Sequence, residues 1–278
     1  SIFIGQFAGG YALAGLALTF PLMNLGTAFS SLIAVGASAN IGIYLGQKNY
    51  PMAQKVLGNV VTLNFIIGIL YMVGIMAFLD PILYFFGASA NTISHAREYM
   101  QVILAGNIIS HTYFALNAVL RATGLPKMAM NASILTVLVN AVIDPLFIWL
   151  WGIRGAAIAT IIAQGISLAW VVSVLCNRNH VVHFQKGGYR LSKTIVKRIL
   201  SVGMSPFFMN STACLIVIVF NQGLKQYGGD MAIAAYGIVN KLTFLFIMMV
   251  MGLNQGMQPI ASYNFGAKLY GRLQEVVK

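Results

Sequence analysis

Two residues one helical turn apart carry the chemistry that this sequence most clearly offers. They lie in Asn140-Ala141-Val142-Ile143-Asp144-Pro145, inside a long apolar run. Positions i and i+4 share one helix face. Pro145 has no backbone N–H, so the carbonyl near Ala141 is left without its usual helical partner. A carboxylate, an amide oxygen and a freed carbonyl are hard oxygen ligands suited to Na⁺. Desolvated, the same carboxylate can hold a proton near neutral pH. Asn117 and Thr160, in the apolar runs on either side, could add oxygens from facing helices. The plainer alternative is that Asn140 and Asp144 supply interhelical hydrogen bonds and a bend.

Few other side chains compete with this pair. Lys241 lies deep in a later apolar run, too far from either end for easy snorkelling, so a water-filled substrate cavity is its natural surrounding. His111 reads as a packed core histidine, and Met248, Met249, Met251 and Met257 as soft packing. His180 and His183 sit in a basic loop without nearby acids, and Cys176 and Cys214 form no CxxC or Cys/His cluster. No cofactor is expected beyond a coupling ion, H⁺ or Na⁺. No metal is expected beyond Na⁺ at Asp144, and no nucleophile–base pair suggests an enzyme.

The elements that must position these groups follow from composition. Apolar residues make up 59% of the 278 positions and charged residues only 8%, with mean hydropathy +0.81. A soluble domain carries about 25% charged residues. This composition therefore excludes a soluble enzyme, a disulfide scaffold and a disordered chain, and specifies an all-α polytopic membrane protein. A crossing needs about 20 apolar residues. Seven runs qualify: Ala12 to Leu45, Val56 to Leu79, Tyr99 to Leu120, Met128 to Trp151, Ala156 to Cys176, Ile199 to Leu224 and Ala232 to Tyr263. The first is long enough that its end is expected to emerge as an amphipathic turn.

The net charge of +12 arises from 17 Lys and Arg against 5 acids. With the polar stretch 178–198 placed inside the cell, Lys48, Lys55, Arg121, Lys127, Lys268 and Arg272 fall on that side as well. The other side keeps Arg97, Arg154 and Lys225. This asymmetry follows the positive-inside rule and makes nucleic acid an unneeded explanation of the charge. The expected organisation is an amino-terminal lobe over 1–177, a basic cytoplasmic linker over 178–198 and the start of a carboxy-terminal lobe over 199–278. The chain opens at Ser1 and reads as a stretch of a longer protein.

A shift of about 220 residues aligns the chain with itself. Gly36, Gly46, Lys48 and Tyr50 meet Gly256, Gly266, Lys268 and Tyr270. Both copies cross in the same direction, which marks a parallel repeat about an axis along the membrane normal.

Phe3-Ile4-Gly5, Ala12-Leu13-Ala14-Gly15, Leu45-Gly46, Asn140-x-x-x-Asp144-Pro145, Gly155-Ala-Ala-Ile-Ala-Thr160 and Gln258-Pro259-Ile-Ala-Ser-Tyr-Asn-Phe-Gly266 together resemble the multidrug and toxic compound extrusion (MATE) family, in its MepA-like or DinF-like bacterial branch. The resemblance covers essentially the whole chain. It implies a twelve-helix, two-lobe transporter of which this chain is helices two to eight. An Asp is expected just before Ser1, and about four helices beyond Tyr263. It implies a monomer in the bacterial cytoplasmic membrane that exchanges H⁺ or Na⁺ for small lipophilic organic cations. It maps the cation site onto Asn117, Asn140, Asp144 and Thr160, and puts Lys241 at the substrate cavity. A lipid-linked oligosaccharide flippase of the same superfamily is the alternative. Such a protein is expected to line its cavity with several cations, whereas Lys241 alone is clearly within the membrane.

Overall fold

The computed structural model describes residues 9–90, 92–185 and 187–277, excepting the side chains of 9–14, 17, 214, 217, 218, 221–242, 244, 245 and 277. The described residues form helices α1 (Gly9–Gly46), α2 (Tyr50–Ala77), α3 (Leu79–Phe85), α4 (Ile93–Ala122), α5 (Pro126–Cys176), α6 (Lys193–Gly266) and α7 (Tyr270–Val277), joined by short turns and one loop. α1, α2, α4 and α5 are long and apolar enough to cross a membrane. Large apolar side chains point outward along them: Leu70 is 66% exposed, Trp149 71% and Val142 75%. In water such a surface would aggregate; in lipid it is solvated. The first apolar run stays helical to Gly46 rather than ending in a separate amphipathic turn.

The fourth and fifth expected crossings are the two arms of α5. A straight helix of this length would reach about 77 Å, far beyond a bilayer core. It bends back at Trp151 (φ −130°, ψ 15°) and Gly152 (φ 56°, ψ −134°). The second pair of angles is disfavoured for any residue with a Cβ, which explains the glycine. A Cβ at Gly155 would fall on the Phe147 carbonyl, so the arms lie side by side at the bend. Further along, the Thr136 and Ser167 hydroxyls hydrogen-bond at 2.7 Å.

α6 likewise holds two expected crossings. A straight stretch from Ile199 to Gln258 would span about 88 Å. Yet a Cβ at Gly36 would strike the Ile199 carbonyl, and Gln258 Nε2 donates to the neighbouring Val35 carbonyl at 3.1 Å. Both arms of α6 thus pack on the same part of α1, and the chain doubles back between them. Close approach relies on glycine: a Cβ at Gly203 would fall on the Leu32 carbonyl. Lipid gives apolar helices little reason to associate beyond packing, so small residues at the contacts matter more than in water.

The repeat is visible in backbone detail. Lys48 (φ 58°) and Lys268 (φ 60°) are the described non-glycine residues with left-handed backbone. Around them the same turn bonds recur 220 positions apart: Asn49 N donates to the Tyr44 carbonyl at 2.8 Å, and Leu269 N to the Asn264 carbonyl at 2.9 Å.

Two apolar cores fill the bundle. One, containing Ile41, Leu57, Leu116, Leu175 and Ile199, lies toward the end that carries the basic loop. The other, containing Leu16, Leu83, Met100, Leu104 and Ile148, lies toward the α5 bend. At that far end Arg97 clamps Asp80 through two bonds of 2.7 Å.

α6 begins at Lys193, so the polar loop runs from Asn177 to Ser192, shorter than the expected 178–198 linker. Nor does it float in solvent. Asn59 Oδ1 accepts from Ser192 N at 2.8 Å, Asn59 Nδ2 donates to the Arg190 carbonyl at 3.1 Å, and Thr62 Oγ1 to the Tyr189 carbonyl at 2.9 Å.

Candidate cation site and cavities

Asn140 and Asp144 lie on the first arm of α5, on the side turned toward the rest of the bundle. Val137, Leu138, Val142, Leu146 and Trp149 form the exposed stripe of that arm, whereas Asn140, Ile143, Asp144, Phe147 and Ile148 are partly or fully buried. The helical repeat thus separates a lipid-facing stripe from an inner stripe, and both polar residues fall on the inner one. Asp144 makes no hydrogen bond or ion pair with any described residue. Its carboxylate lies within electrostatic reach of the buried Tyr99 phenol on α4. The buried Asn140 Nδ2 has no partner among the described residues. A half-buried carboxylate beside an unpaired amide is an arrangement with unmet bonding capacity, which a cation with its hydration water can satisfy.

The α5 bend brings Thr160 to this level. The Gly155–Phe147 and Thr136–Ser167 contacts set the register between the arms, placing Asp144 opposite Ile158 and Ala159. Thr160 is therefore level with Asp144 to within about one turn, about 5 Å. Its hydroxyl donates to the Ala156 carbonyl at 2.9 Å, which leaves the oxygen lone pairs available.

Asn117 is not part of this group. Its Nδ2 donates to the Ala129 carbonyl at 2.9 Å and its Oδ1 accepts from Arg121. Ala129 is about 22 Å from Asp144 along the first arm of α5. Asn117 instead joins α4 to the start of α5 at the basic end. The side chain of Lys241 lies outside the described residues.

One cavity reaches Thr160, and a larger cleft lies toward the basic end. A chamber of about 200 Å³ sits inside the bundle formed by α1, α2, α4 and α5, lined by the polar residues Tyr71, Asn107, Ser110, His111, Thr160 and Gln164 and by apolar ones such as Met100 and Phe114. Ser110 donates to Gln164 Oε1, and Tyr71 donates to the Leu22 carbonyl at 2.7 Å. Sequence reading missed this chamber, although Asn107/His111 and Thr160/Gln164 each repeat at i, i+4 and so mark one polar face per helix. A larger cleft of about 590 Å³ lies between α1, α4 and the two arms of α6. Its walls carry Met209, Met251 and Met257, amides of Asn210, Asn254 and Gln258, and the guanidinium of Arg121. Met251 and Met257, from the run read as soft packing, line this cavity, where flexible thioethers suit varied apolar shapes.

Comparison with known proteins gives one consistent answer. The MatE family model matches residues 1–146 and 206–278. Multidrug export protein MepA of Staphylococcus aureus is 27% identical over 278 residues, covering 99% of this chain and 61% of the relative. MepA of Staphylococcus haemolyticus is 27% identical over 267 residues, covering 95% of this chain and 58% of its own. The chain thus spans about three fifths of the length of these relatives. A crystal structure of MATE in the bent conformation superimposes with TM-score 0.92 at 25% identity, over 99% of this chain and 62% of that one. An outward-facing multidrug resistance MATE family transporter of the MOP superfamily gives TM-score 0.93 at 24% identity over 99% of this chain and 61% of that one, a likeness of fold.

Proposed function

The chain belongs to the MatE family, whose members matched above are multi-pass membrane transporters, and from that premise we propose that the whole protein is a cation-coupled antiporter of the cytoplasmic membrane. Its cargo is a set of lipophilic organic compounds, organic cations foremost, carried in the cleft between α1 and α6. Its coupling ion, H⁺ or Na⁺, binds at Asp144 with Asn140 and Thr160 as neighbours. The observation that carries the reading is the Asp144 carboxylate on the inner stripe of a membrane helix, without a hydrogen bond or ion pair among the described residues and one turn from Asn140, whose Nδ2 has none there either. Ionisable groups within spans are costly and mark ion pathways.

The coupling follows from charge. Loading by a cation neutralises the carboxylate and removes the cost of keeping it from water. An ion shifts the balance of two lobe arrangements only by its difference in affinity for them. Pro145, which interrupts the helical bonding next to Asp144, gives the first arm of α5 a place to bend in response. A cargo is expelled when the ion and cargo favour opposite arrangements.

The test uses the full-length protein in liposomes with an imposed pH or Na⁺ gradient and a fluorescent lipophilic cation. Asp144→Asn is expected to lower gradient-driven efflux at least about tenfold, the scale of one lost charge-assisted contact, with unchanged insertion. Efflux equal to that of the parent protein refutes the assignment.

A further inference from the structure

We propose that His111 is a proton-binding site in its own right, served by the chamber and separate from Asp144. His111 is only 4% exposed, lines the chamber, and leaves its Nδ1 without a partner. A buried ring nitrogen with no bond is costly unless something else meets it. The chamber brings Asn107, Ser110, Thr160 and Gln164 to the same wall as the ring. Its volume of about 200 Å³ is room for several waters. Thr27 and Phe114 line both the chamber and the larger cleft, so the two spaces adjoin.

The surroundings suit an imidazolium. A protonated ring donates from both nitrogens, and Asn107, Ser110 and Gln164 each bring an oxygen to the wall. The Tyr71 ring lies 6.0 Å away, centroid to centroid, and can offer its face to a cation. Charge does not oppose it. α1 presents Met23, Gly26, Thr27 and Ser30, and α5 presents Thr160 and Gln164, none of them titratable. Tyr71 of α2 is the other titratable group on the described wall, and Asp144 is not part of it.

The experiment is nitrogen NMR of the full-length protein in lipid nanodiscs, labelled in its histidine rings and titrated from about pH 8.5 to about pH 4.5, the range over which histidine ordinarily changes charge. The signal missing from His111→Gln identifies the residue. Should that variant not fold, the more conservative His111→Asn identifies the signal instead. The expected result is a reversible change of the His111 ring from the neutral pattern to the imidazolium pattern, both in the parent protein and in Asp144→Asn. A ring that stays neutral throughout overturns the proposal. So does a ring that titrates in the parent but not in Asp144→Asn, since the site would then be an extension of Asp144. Loss of coupling in Asp144→Asn with His111 still titrating supports both sites independently.

Discussion

Gly46 and Gly266 press on each other's helices in a reciprocal way: a Cβ at Gly46 would fall on the Tyr263 carbonyl, and a Cβ at Gly266 on the Ile43 carbonyl. These are the same two positions exchanged across a shift of 220 residues. Such reciprocity is the signature of a two-fold axis, here relating α1 to the second arm of α6. The internal repeat is therefore a contact as well as a resemblance, and the two copies meet at their basic ends.

Gly46→Ala and Gly266→Ala should each destabilise the full-length protein by about 1–3 kcal/mol, the range for overpacked sites. Gly252→Ala is the control, because nothing lies within 4 Å of its Cβ position; it should be neutral or slightly stabilising. Thermal unfolding in detergent reads the difference. Equal melting temperatures for all three variants would contradict the close approach.

Thr160→Val and Asn117→Ala should separate in their effects. Removing the Thr160 hydroxyl takes an oxygen from the level of Asp144. It should weaken the apparent affinity for the coupling ion several-fold to about tenfold, which is up to about 1.4 kcal/mol. Asn117→Ala frees Arg121 and the Ala129 carbonyl at the basic end. It should lower stability while leaving the ion dependence of efflux unchanged. Efflux rate against ion concentration, measured for both, decides the point.

Much of this was legible in the residues. Apolar runs located the crossings, Gly152 to Gly155 marked the α5 bend, and the spacing of Asn140 and Asp144 put both on one face. Asn117 shows why the rest was not. Sequence places it on a neighbouring helix but says nothing of depth until the antiparallel register is known. Tyr113 bonds Thr136 at 2.9 Å and Asn117 bonds Ala129 at 2.9 Å. That register leaves Asn117 at the wrong end of α5. The chamber was hidden for a similar reason: its residues come from four helices, and each looks like ordinary packing until the helices are assembled. The doubling back of α6 depends on glycine contacts with α1 that no local pattern records.

Asn59→Ala should release the basic loop. Asn59 holds the loop at Ser192 and Arg190 and also donates to the Lys55 carbonyl at 2.8 Å. Its loss leaves Ser192 N without its side-chain acceptor, a cost of about 1–3 kcal/mol for a buried group and less near the surface. Limited trypsin digestion should cut after Arg190 or Lys193 several-fold faster than in the parent. An unchanged cleavage rate would mean that the clamp does not hold the loop.

The most direct test concerns the ion itself. Purified full-length protein and its Asp144→Asn variant are compared for retained radioactive sodium and for protons released on cargo addition. The parent is expected to give one of these two signals, and the variant to lose it while still binding cargo. Undiminished ion binding or proton release by Asp144→Asn would contradict the claim that this carboxylate drives transport.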